Sequence, residues 1–63
     1  MPLSAEDRER VAARVRWMVA DYRAKPTPGK EDGFGVEIAA MSPEEREHVT
    51  AVLLELVAEE ARR

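Results

Sequence analysis

Ser42-Pro43-Glu44-Glu45-Arg46-Glu47-His48-Val49-Thr50-Ala51-Val52-Leu53-Leu54-Glu55-Leu56-Val57 is the stretch that decides the fold. Its serine can accept a hydrogen bond from a free N–H group of a first helical turn. Glu45, three residues on, can bond back to the serine's own N–H. Pro43 is pre-set for the first helical position, where a backbone donor is not missed. Beyond this start Val49, Val52, Leu53, Leu56 and Val57 recur at helical spacing and share one face. Leu54, Ala58 and Ala61 carry apolar surface further round the cylinder. The pattern predicts a helix over 43–61, with Arg62 and Arg63 suited to its negative end. An apolar arc this wide exceeds what a single neighbouring helix covers, and suits a helix that touches two or three others.

A second start, Ser4-Ala5-Glu6-Asp7, opens another helical pattern. Val11, Val15, Met18 and Tyr22 follow at steps of four, three and four, with Ala12 and Val19 beside them. Leu3 is placed to close over the first turn. Acids cluster at the start and Arg23 and Lys25 at the end, matching the helix dipole. Pro26 disfavours helical geometry at Lys25, so this helix is expected over 5–24. Residues 25–41 make a connection far longer than the usual helix–helix link. Pro26-Thr27-Pro28-Gly29-Lys30-Glu31-Asp32-Gly33 is polar and rich in turn formers, and reads as exposed. Phe34, Val36 and Ile38 then alternate with Gly35 and Glu37, which suggests an extended segment or very short strand closing the open side of the helix pair together with Met41; the alternatives are a short helical turn over 38–41 and a docking strand for a partner. The expected fold class is therefore all-α: a helical hairpin of two amphipathic helices in one small domain, 1–63.

Size raises the question of company. A chain of 63 residues buries only about 60% of the surface its unfolded form exposes, and chains this small usually lean on a disulfide, a metal or a partner. There is no cysteine and a single histidine, which leaves a partner. The simplest partner is a second copy, giving a homodimer and, from two hairpins, a four-helix bundle with Val49, Val52, Leu53, Leu56 and Val57 at its core. Net charge is −3, unevenly divided. Residues 1–25 hold six basic side chains against four acids, whereas residues 26–63 hold four against nine. That imbalance favours packing of the first helix on the second, or antiparallel pairing between copies; the plainer reading is a solvated surface of mixed charge.

Candidate site residues are few. Trp17 points more than a quarter-turn away from the Val11/Val15/Met18/Tyr22 stripe, among Ala13, Ala20, Ala24 and Arg14. One reading packs it on the connection, near Phe34 or Val36, or under Arg14. The other makes it an anchor at a protein interface, where tryptophan is enriched. Trp17, Arg14, Phe34 and Leu54 are accordingly the expected partner-binding residues. No catalytic, cofactor-binding or metal residue is expected. Glu45 and His48 have Glu-x-x-His spacing, but Glu45 has a capping role and the further inward carboxylates of a di-metal bundle are missing. Gly29-Lys30 lacks the rest of a phosphate loop.

The expected function is a non-enzymatic protein–protein interaction module, a homodimer serving as a small adaptor or regulatory subunit. The alternative is a small DNA-associated regulator using Arg8, Arg10, Arg14 and Arg16, although the acidic balance of the chain makes nucleic acid an unfavoured partner. Neither a leader-like pattern nor an apolar stretch of membrane-spanning length is visible. The expected location is the cytoplasm, and the arginine- and alanine-rich usage suits a bacterial source.

Overall fold

The computed structural model describes residues 2–63. The chain is all-helical: α1 spans Ala5–Ala24, α2 Lys30–Ala39 and α3 Pro43–Ala61. No strand occurs among the described residues. At α1, Ser4 lies in extended backbone and its Oγ accepts from the Asp7 N–H at 3.1 Å. The Asp7 carboxylate turns to Arg10, at 3.4 Å. At α3 the capping box is complete. Ser42 Oγ accepts from the Glu45 N–H at 3.2 Å, and Glu45 Oε1 accepts from the Ser42 N–H at 2.9 Å.

The connection differs from its expected form, because ten of its residues are helical. Pro28 and Gly29 form the corner of a turn that the Lys30 N–H closes onto the Thr27 carbonyl at 3.1 Å. Gly29 has φ 88° and ψ −14°, the left-handed conformation that the third residue of a type II turn requires. The chain leaves this turn directly into α2. Phe34 and Ile38 explain why the segment is not extended. Four residues apart, they fall on one side of a helix, and both are partly buried. Lys30 and Glu37 share that side: Lys30 Nζ lies 3.1 Å from Asp21, and Glu37 pairs with Arg14 at 2.7 Å. Val36 lands on the opposite side and is 71% exposed, so it does not help to close the core. Met41 does, packing against the buried cluster.

A hairpin would set the two long helices antiparallel. Here α2 returns the chain, and α1 and α3 run in the same sense. Arg10 reaches Glu45 at 2.9 Å, near the start of both helices. Arg16 reaches Glu55 and Glu59 at 3.5 and 3.6 Å, and Arg23 reaches Glu60 at 2.7 Å, near the end of both. Exposed ion pairs add little stability one by one, but this series fixes the register of α1 against α3. The end of α2 is tied down by α3 itself: Arg46 Nη1 donates to the Met41 carbonyl and, at 3.4 Å, to that of Ala39. The Ala39 carbonyl is one that a helix end leaves without an intrahelical partner.

Val11, Val15, Val49 and Val52 form the sealed cluster, with Ala12, Val19, Ile38, Met41 and Leu56 packed against it. Met18 is buried beside them. The Cα trace measures 35 × 29 × 15 Å. Its short dimension is about what two packed helices occupy, given axes ~9 Å apart and a Cα radius of ~2.3 Å. The radius of gyration is 12.2 Å, against about 10.6 Å for a compact domain of this length. The molecule is a slab with a thin core.

Candidate functional site

Three of the exposed large hydrophobic side chains, Leu53, Leu54 and Val57, lie on the outward face of α3. Val49 and Val52 turn inward onto α1 and are buried within the single chain. They are therefore not available to a second copy, contrary to their expected place in a dimer core. Leu56 is partly covered by the same cluster. Leu53 is 39%, Val57 62% and Leu54 65% exposed. Helical spacing sets Leu53, Leu54, Val57, Ala58 and Ala61 side by side with Thr50. No charged residue interrupts the face between Glu47 and Glu60. The physical cause is the width of the stripe: α1 covers one flank, α2 approaches the next through Ile38 and Phe34, and nothing among the described residues reaches the third.

An open groove of about 210 Å³ adjoins this face. Val15, Met18, Val19 and Tyr22 of α1, Phe34 and Ile38 of α2 and Val49 and Leu53 of α3 line it. Leu53 belongs to both, so groove and face are one continuous apolar surface. Arg23 and Glu31 are the charged residues of its lining. There the Tyr22 hydroxyl donates to Glu31, which raises the Tyr22 pKa above its ordinary value.

A second patch gathers three of the expected partner-binding residues. Trp17 meets Phe34 edge-on, with ring centroids 6.4 Å apart at 79°. The Arg14 guanidinium lies over the Trp17 ring at 4.6 Å. The same guanidinium makes a two-pronged pair with Glu37, both contacts at 2.7 Å. That pair holds the Glu37 carboxyl below its usual range and raises Arg14. Trp17 is nonetheless 51% exposed, so the stacked unit presents half an indole to solvent. Leu54, the fourth expected residue, belongs to the α3 face instead. Glu37, the partner of Arg14, was not singled out in the sequence. Its signal was the spacing: Arg14 and Asp21 are seven apart, as are Lys30 and Glu37, each with the base first and the acid second, a pattern that pairs when the two helices run antiparallel.

A shallow depression of about 300 Å³ lies where the two long helices begin, lined by Leu3, Arg8, Glu44, Glu47, His48 and Ala51 among others. Leu3 thus faces a depression that residues of both α1 and α3 line. No group of three or more metal-ligating side chains is assembled among the described residues. Four arginines of α1 are spent on carboxylates: Arg10 on Glu45, Arg14 on Glu37, Arg16 on Glu55 and Glu59, and Arg23 on Glu60. No described helix is long and apolar enough to cross a membrane.

No protein-family model, curated protein or solved structure matches this chain. The functional reading therefore rests on the surfaces themselves.

Proposed function

We propose that this chain is a non-enzymatic protein–protein interaction module that works as a homodimer, a small adaptor or regulatory subunit of the cytoplasm. The observation that carries the reading is the open apolar face of α3 around Leu54 and Val57. Area supports it. The chain exposes 4759 Å², whereas a folded monomer of its mass exposes about 4,100 Å². The excess, roughly 650 Å², approaches the ~800 Å² that each partner contributes to a standard interface. Two copies joined through this face would set α3 against α3 at the centre of a four-helix layer, with each α1 backing its own α3 on the outside. The Trp17–Arg14–Phe34 patch would then stay open for a client protein. The DNA-associated alternative is disfavoured by the carboxylate pairing of the α1 arginines, which leaves little free charge for phosphate.

Sedimentation at micromolar concentration tests the reading. The expected mass is twice that of the chain. Leu54→Glu combined with Val57→Glu should halve it without unfolding the monomer, because both side chains already face water. A wild-type protein that is folded and monomeric under these conditions would exclude the homodimer.

A further inference from the structure

The charge left over after internal pairing says how the second copy lies. At the C-terminal end of α3, Glu59 and Glu60 are engaged by Arg16 and Arg23, and Arg62 and Arg63 follow at the dipole's negative end. At its N-terminal end, Glu45 is engaged by Arg10 and by its cap, and Arg46 is turned onto the end of α2. Glu47 remains there, exposed and with no ion pair among the described residues. On the helical wheel it borders the Leu54/Val57 face. The face thus ends in a spare negative charge on one side and spare positive charge on the other.

From this we infer that the occupant of the α3 face is the α3 of a second copy, running antiparallel about a two-fold axis beside Leu54. The inference rests on the dimer reading and adds its orientation and register. Leu54 meets its own counterpart, Thr50 stands opposite Ala58, and Glu47 of each copy stands opposite Arg62 of the other. A two-fold interface is self-complementary, so this ion pair occurs twice. Antiparallel packing also sets each helix's positive end beside the other's negative end. The parallel alternative would place Glu47 beside Glu47 and Arg62 beside Arg62, and would align the dipoles unfavourably. Thr50, Ala58 and Ala61 are small and exposed, which lets the two helices approach closely between the larger Leu54 and Val57 side chains.

The chain has no cysteine, so single-cysteine variants report orientation directly. Thr50→Cys and Ala58→Cys are treated with a short bismaleimide reagent, each alone and as an equimolar mixture allowed to exchange subunits. The inference expects covalent dimer from the mixture and little from either variant alone. Efficient linkage of each variant alone would show parallel helices and overturn the orientation while leaving the homodimer intact. A dimeric mass with no linkage in any tube would place the interface elsewhere and overturn it equally. A monomeric mass would remove the dimer reading itself. Charge reversal gives the second readout. Glu47→Arg and Arg62→Glu should each weaken dimerisation roughly three- to thirtyfold, for two exposed pairs lost per dimer. The double variant should recover most of that loss, and a double variant as weak as the sum of the singles would count against the pairing.

Discussion

Ser42 and Glu45 show how much one corner of this molecule rests on hydrogen bonds to backbone. Ser42→Ala removes the acceptor for the Glu45 N–H and should cost about 1 kcal/mol, a fall in melting temperature of roughly 4–8 °C for a domain this small. Thermal circular dichroism reads it. Glu45 carries the pH dependence. Its carboxyl is lowered from 4.5 to about 2, first by the Ser42 backbone N–H and then by Arg10. Glu37 is lowered by Arg14 in the same direction. A carboxylate whose folded pKa lies below its unfolded value stabilises the fold fully above the unfolded pKa. That contribution fades as pH falls toward the folded pKa. Stability should therefore hold steady above about pH 5 and drop between pH 4.5 and 2. Glu45→Gln should flatten part of that drop in acid melts, and an unchanged acid profile would show that the corner is not coupled to folding.

At the level of elements, α2 is the weak member. It has ten residues, two of them glycine, and none of its side chains is fully buried. Helices so short are marginal on their own. A Cβ added at Gly33 or Gly35 would meet nothing within 4 Å, so alanine at either position should stabilise by about 0.4–1 kcal/mol. Gly29 also has open space, but its φ of 88° strains any other residue. Gly29→Ala should destabilise by about 1 kcal/mol. Urea unfolding of the three variants separates these signs. The same weakness explains what was legible in the sequence. Caps and long apolar periods announce α1 and α3, where Ser4, Ser42 and the valines agree with one another. In α2 the glycines argue against helix, and Phe34, Val36 and Ile38 satisfy period two as well as the four-residue step from Phe34 to Ile38. The seven-residue charge spacing would have chosen between them, but it carries meaning only once α1 and α2 are set side by side. The sense of α3 was hidden for the same reason, since it follows from α2 being there to turn the chain back. The division of the α3 stripe was hidden too. Val49 and Leu53 look alike in a periodic pattern, and only the placement of α1 and α2 decides which is covered.

On the scale of the whole molecule, the Trp17 patch and the Leu54/Val57 face are centred on different helices and meet only through the groove that Phe34 and Leu53 both line, and their independence is testable without knowing a client. Trp17 is half-exposed beside Phe34 and Arg14, away from the face assigned to self-association. Its fluorescence should show an intermediate emission maximum that does not move as the protein is diluted from dimer to monomer. A blue shift on association would mean that the Trp17 patch is itself part of the dimer contact. Of the expected partner-binding set, the grouping of Arg14, Trp17 and Phe34 could be anticipated from helical spacing and the reach of the connection. Its attachment through Glu37 could not.

Because α1 and α3 point the same way, Ser4 and Arg62 leave the slab from opposite ends. A fluorophore or a fused domain attached at one would be held away from its counterpart at the other, separated along the molecule rather than clustered on one side. In the antiparallel pair each pole would then display one leading and one trailing attachment point.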